Sequence, residues 1–351
     1  MTDELFVAGL TAIFAIILGW GFRTLPGENW QILAAMPREK HKNGAWRGDN
    51  FTYYGVLNAN AYLIGVMIFI SLLGAVSVPV IGIVTPVLVL LAICVPASKI
   101  VARVVEKKKH TFTVGGAAFV GIVIAPWIVR LTDVTIGRGM GFHLPVLTFL
   151  AALSIAYAFG EGVGRLACIS FGCCYGKPLS QCHPLLQRLF RKYHFVFSGE
   201  TKKIAYADGL DGEKVVPIQA VTSILYCGSG ILGVWLFLKG WYFTAFFETL
   251  VITQCWRTIS EFFRADFRGD RKISAYQIMG VVAIFYAAAI ALIFPGNPSV
   301  RHADIVAGLG CLWHPGMILA LQALWAAIFI FTGRSSVTAS SLSFHVVRDR
   351  I

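Results

Sequence analysis

The chain has 351 residues, of which 57% are hydrophobic and only 14% charged, and a formal net charge of +12. A soluble domain carries about 25% charged residues, so this composition excludes one large water-exposed globule and points to a chain built for lipid. Loop lysines and arginines that orient a membrane protein and meet anionic headgroups account for the positive charge, and no nucleic-acid-binding motif accompanies it.

In chain order, apolar runs predict nine membrane-spanning helices, at 5–22, 53–75, 78–97, 114–131, 144–162, 217–238, 241–262, 274–294 and 314–333. Each is near the roughly 20 residues that a bilayer core requires, so the expected fold is all-α and polytopic. The first run follows Asp3 and Glu4 and lacks a small-residue cleavage site, so it reads as a retained helix. Residues 24–50 are polar and basic, with Arg38, Lys40, Lys42 and Arg47. Residues 177–215 form the longest polar excursion, whose Gly and Asp clusters predict turns or a short hairpin in a small head segment. Pro217 then opens a span, where its missing N–H costs nothing. The chain thus divides into an N-terminal span with its basic loop (1–50), a membrane core including the head (51–295), and a C-terminal span and tail (296–351). With nine spans, every Lys and Arg except Arg130, Arg138, Lys239, Arg301 and the intrahelical Arg257 shares one face. The positive-inside rule would make that face cytoplasmic.

Three segments carry polar chemistry in this apolar background. In GRLACISFGCCYG (164–176), Arg165 stands at the end of a span, where charge is costly unless paired or used. Its planar fork suits a phosphate, and Gly164, Gly172 and Gly176 allow a tight backbone path close to a ligand. The plainer reading is a snorkelling arginine beside a glycine-rich turn. In WRTISEFFRADF (256–267), Arg257, Glu261 and Arg264 are spaced to share one helical face, with net positive charge suited to an anionic headgroup. The plainer reading there is a structural ion pair. In FTYYGVLNANAY (51–62), aromatic rings are ordinary interface anchors, but Asn58 and Asn60 need partners inside lipid.

Of the eight cysteines, four cluster at Cys168, Cys173, Cys174 and Cys182. Small packing residues, a disulfide in an oxidising compartment, and a thiolate metal site are all open readings. The spacing matches no C-x2-C pair and adjacent cysteines seldom both ligate one ion, so no metal and no cofactor is expected. His110 and His183 are the candidate bases, with a basic-loop role as the alternative for His110; His314 reads as structural.

These segments resemble the bacterial prolipoprotein diacylglyceryl transferases. The family hallmark G-R-x-G-N-F-x-N-G-E-x-x-G is similar to G-R-L-A-C-I-S-F-G-C-C-Y-G here, with Arg165, Gly172 and Gly176 matching. The similarity runs in order from Tyr54-Gly55, through Gly115-Gly116 of the family's His-Gly-Gly, to Arg257, Glu261 and Arg264 of its R-x-x-x-E-F-x-R run. It implies a core of seven helices with extra flanking ones, in a bacterial inner membrane. It implies transfer of a diacylglyceryl group from phosphatidylglycerol to the lipobox cysteine thiol of a prolipoprotein, whose signal-peptide region would be the partner. Arg165, Arg257, Glu261 and His110 would be catalytic, and Tyr54, Gly115, Gly116, Gly172, Gly176, Gln219 and Arg264 would bind substrate. The family also places its hallmark arginine outside the cytoplasm, against the charge rule. The chain departs from the pattern at Cys168 for Asn, Cys173 for Glu, Val114 for the histidine of His-Gly-Gly, Thr253 for a tyrosine, and Val216-Pro217-Ile218-Gln219 for a longer polar stretch. These changes leave open another acceptor for the same donor, or a non-catalytic phospholipid-binding or transport protein.

Overall fold

The computed structural model describes residues 2–105, 114–265, 273–294, 303–340 and 349. It is mostly helical, and among the described residues eight helices are long and apolar enough to cross a membrane. They include α1 (Asp3–Thr24), α2 (Tyr53–Ala75) and α3 (Val80–Val105). The helix α4 (Val114–Thr132) continues through a π-helical turn, Asp133–Gly137, before α5 (Val146–Phe171). The predicted run 241–262 also folds as a helix, α7 (Tyr242–Ser260), after α6 (Ile218–Leu238). It is less apolar than the others because Glu248, Gln254 and Arg257 lie within it. The last two are α8 (Ala275–Ile293) and α9 (Pro315–Gly333). This is the architecture of a multi-pass helical membrane protein.

Local chemistry fixes several helix ends. The Thr2 side chain accepts from the Leu5 N–H, and acidic Asp3 and Glu4 occupy the positive end of the α1 dipole. Ser274 and Gln277 form a reciprocal capping box at the start of α8. Gly172, at φ +67°, closes α5 in the left-handed conformation that glycine adopts without steric penalty.

The α5 helix is the most buried of the apolar helices and stands at the centre of the bundle. It meets α2 closely because both present small residues: a Cβ on Gly65 would come 3.0 Å from the Ala156 carbonyl oxygen. Without a strong hydrophobic drive between helices in lipid, such close approach and interhelical hydrogen bonds do the holding. Asn60 finds its partner in this way, accepting from the Trp325 indole of α9 at 2.7 Å.

The all-α expectation needs one amendment. Residues 24–50 are not merely a loop: β1 (Ile32–Lys40) and β2 (Trp46–Thr52) form an antiparallel hairpin. Its turn contains Asn43-Gly44, with Gly44 at φ +84°. A third strand, β3 (Arg334–Ser340), pairs with β2. Buried Asp49 joins the two flanks, with Arg38 at 2.7 Å and Arg334 at 2.8 Å. The regions 1–50 and 296–351 therefore meet in one sheet. In the head, Phe195–Val196 pairs with Lys214–Val215, and short helices run over Pro184–Phe190 and Lys203–Asp208.

Candidate functional site: an arginine-lined cleft beside three cysteines

Arg165 lies well inside α5 rather than at its end, because that helix continues to Phe171 beyond the predicted boundary. Its guanidinium pairs with Glu161 one turn earlier, and both side chains are largely buried. An (i, i+4) carboxylate is what lets the charge sit there, since an unpaired buried guanidinium would cost several kcal/mol, roughly. The Nε of Arg165 remains buried with no hydrogen-bond partner among the described residues.

Arg257, near the end of α7, donates from Nη1 to the Tyr157 hydroxyl at 3.2 Å. The Tyr276 ring lies 5.6 Å from its guanidinium carbon, a cation–π contact. The α4 backbone makes room at Gly115: a Cβ there would sit 2.0 Å from Nη2 of Arg257. The neighbouring Gly116 faces Val101 instead, at 2.6 Å for the equivalent Cβ.

Arg264 reaches the same place by a different route from the one expected. The helix stops at Ser260, a 3-10 turn covers Glu261–Phe263, and Arg264 is extended, so the three residues do not share one helical face. Backbone pairing holds Arg264 instead. It forms an antiparallel bridge with Gly176, flanked by bonds from Lys177 N to Phe263 O (2.9 Å) and from Ala265 N to Tyr175 O (3.1 Å). On its other side Gly176 packs tightly against Val216, where a Cβ would meet the carbonyl oxygen at 2.4 Å.

Together these residues line a small, narrow cleft, bounded by Arg165, Cys174, Gln219, Arg257, Glu261 and Arg264 with Ile218, Thr222, Tyr226 and Ser260. Gln219 donates to the Cys173 carbonyl at 2.9 Å, while its own Oε1 is buried without a hydrogen-bond partner among the described residues. Three arginines against the two carboxylates Glu161 and Glu261 leave the site net positive. Arg165 Nε and Gln219 Oε1 are polar atoms whose burial is costly unless a ligand or ordered water meets them. The net positive charge and the unsatisfied Arg165 Nε donor suit an anionic group such as a phosphate.

The cysteine segment forms a second feature against this wall. The Sγ atoms of Cys168, Cys173 and Cys174 lie within 4.8 Å of one another. Cys168 sits on the last turn of α5, and Cys174 adopts φ +57°, uncommon for a non-glycine residue. Cys182 is apart, its thiol directed at the Pro178 carbonyl. No disulfide forms among the described residues. Hydrogen bonding to Cys168 and Cys174, followed by burial, pushes the Cys173 thiol well above its ordinary range. Tyr54 stands edge-on to Phe171, close enough to the three cysteines to interact electrostatically, and does not line the cleft.

Other candidates fall elsewhere. His183 is exposed and caps the Pro184–Phe190 helix, accepting from Leu185 N, so it does not reach the cleft. His110 lies outside the described residues. Gly172 packs against Lys202, whose buried Nζ donates to the Ser170 carbonyl at 2.7 Å and the Leu25 carbonyl at 3.3 Å. Burial pulls that amine down to about 8, with Glu28 opposing. Sequence reasoning passed over Glu161 and Tyr157, although Tyr157, Glu161 and Arg165 repeat at helical spacing and could have been found that way.

Neither a scan against models of protein families nor a comparison with curated proteins matches this chain.

Proposed function

We propose that the protein is a membrane-embedded transferase that takes a diacylglyceryl group from phosphatidylglycerol and delivers it to an acceptor, the cysteine thiol of a prolipoprotein. The observation that carries this reading is the convergence of Arg165, Arg257 and Arg264 on one cleft next to apolar helices. The phosphate of an anionic lipid would lie among the guanidinium groups while its acyl chains remain in the bilayer. Attack on the glyceryl carbon expels glycerol phosphate, and the same arginines stabilise the charge that develops on it. Glu261 lies near enough to Arg257 to attract its charge, Gly115 leaves that arginine its space, and the backbone bridge to Gly176 positions Arg264. The bacterial inner membrane, with the basic face outward, belongs to the same proposal.

Transfer of label from phosphatidylglycerol to a prolipoprotein, measured in membranes carrying the chain or its Arg165→Ala variant, tests the assignment. Transfer dependent on Arg165 is expected. Unchanged transfer in the variant would remove that residue from the mechanism.

A second reading has its own observation. Among the described residues lining the cleft none is histidine, and Val114 stands where the resembled family has one. A protein that binds the lipid without turning it over, or uses another acceptor, would look like this. Saturable lipid binding with no transfer to any thiol would favour it.

The inferred number of crossings is nine, α7 included. Support comes from backbone pairing on one side of the bundle: Gly176 with Arg264, and β2 with β3. Two helices separate the first pair and eight separate the second, so each pairing requires α7 to cross. On the opposite side, Glu4 meets Lys239 at 2.6 Å.

A further inference from the structure

We propose that Cys168, Cys173 and Cys174 bind one zinc ion as thiolates, with a fourth position turned to the cleft to take the acceptor thiol. The second half of this inference rests on the transferase reading above; the first half does not.

The geometry comes first. Three thiolates around a tetrahedral zinc, at about 2.3 Å each, lie roughly 3.8 Å from one another. The three Sγ atoms already lie within 4.8 Å, so a shift of about 1 Å or less completes the set. Adjacent cysteines ordinarily point apart, which is why C-C is a poor ligand pair in an extended chain. The left-handed backbone at Cys174 removes that obstacle and brings its sulfur round to the other two. Strain of this kind at a non-glycine residue is characteristic of functional positions.

Charge comes next. Zinc with three thiolates carries one net negative charge, and Arg165 lies close enough to Cys168 and Cys174 to interact with both. Its buried Nε lacks a hydrogen-bond partner among the described residues. Copper(I) in the same trio would carry two negative charges against that one arginine, so zinc is the better match.

Three protein ligands with one open position is the pattern of zinc sites that act on a substrate, whereas structural sites are closed by four. Here Cys174 lines the cleft, so the open position faces the lipid-binding arginines. A thiol that coordinates zinc loses its proton, which passes to water. Its sulfur electron pair then forms the C–S bond to the glyceryl carbon. The C–O bond to phosphate breaks, and its pair leaves with glycerol phosphate onto the arginines. No oxidation state changes. Zinc would thereby supply the acceptor activation for which the described residues of the cleft include no histidine.

The test uses the full chain purified under reducing conditions in detergent. Elemental analysis is expected to give one zinc per chain, lost on Cys173→Ser or Cys174→Ser and kept on Cys182→Ser. Cobalt(II) substitution of the unmutated chain, which does not depend on any variant folding, should give the intense visible bands of a tetrahedral thiolate site. No zinc and no such bands, a Cys173–Cys174 disulfide in place of metal, or loss of zinc on Cys182→Ser would overturn the site. A short cysteine peptide should then shift the cobalt bands, and its serine counterpart should not. Bands unmoved by the thiol would overturn acceptor activation. A thiol-dependent shift without lipid transfer would keep the zinc–thiol inference and count against the transferase reading.

Discussion

A Cβ on Gly115 would stand 2.0 Å from Nη2 of Arg257, and 2.8 Å from the Tyr276 ring that the same arginine faces. The α4 helix thus leaves the space that the α7 arginine fills. The nearest clash falls on the far end of a flexible side chain and the second on the buried Tyr276 ring, so Gly115→Ala should displace Arg257 and also cost some stability. A charged hydrogen bond to phosphate is worth about 1.5–3 kcal/mol. Binding of phosphatidylglycerol, measured by titration into the solubilised protein, should weaken by roughly tenfold or more, with a modest fall in the unfolding temperature. Undiminished affinity would show that Arg257 does not hold the lipid.

Gly176→Ala should cost more stability. Its Cβ would meet backbone, the Val216 carbonyl, at 2.4 Å, and backbone cannot rotate aside. The bridge to Arg264 would open, and overpacking of this kind costs about 1–3 kcal/mol. A lower unfolding temperature, together with loss of lipid binding, is the expected outcome; an unchanged thermal profile would contradict it.

Glu161→Gln leaves Arg165 buried without its ion-pair partner. Removing one member of a buried pair costs about 3–5 kcal/mol. An anionic lipid in the cleft would offset part of that cost. Phosphatidylglycerol should therefore raise the unfolding temperature of the variant more than that of the parent chain. Equal shifts would separate Arg165 from the lipid site.

Lys202 gives a pH-dependent term of defined sign. Burial lowers its amine in the folded protein to about 8 from an ordinary 10.5. Between these values the unfolded chain binds the proton that the folded chain has released, so stability rises as pH increases through the window. Below about 8 both states are protonated and the burial penalty is fully present. Unfolding temperatures measured between pH 7.5 and 10.5 should show this rise, and Lys202→Met should flatten it. An identical slope in the variant would place the titration elsewhere.

The eight long apolar helices were legible because runs of the right length have few other uses, and the helical state of α7 was legible too despite Glu248 and Arg257. The strands were not. β1 is exposed along its length and contains Pro37, so it shows neither alternation nor a clean run, and the only local signal was Asn43-Gly44. For β2 the second partner, β3, lies at the far end of the sequence, where no local rule can reach. At the site, spacing alone predicted Arg257, Glu261 and Arg264 on one helix face. They do gather in one cleft, but through a 3-10 turn after Ser260 and pairing with Gly176. The approach of Cys168, Cys173 and Cys174 depended on a left-handed residue at 174, which a cysteine does not advertise.

The pairing of β2 with β3 also orders events in time. During synthesis, residues 46–52 leave the ribosome long before residues 334–340 exist, and every helix from α2 to α9 must be made in between. Until then β2 has a neighbour on one edge only, and buried Asp49 lacks Arg334. Contacts this distant in sequence form late, because their loop-closure cost falls due before they return any stability. The sheet is thus a closing clasp: its completion reports that the whole helical bundle has been threaded.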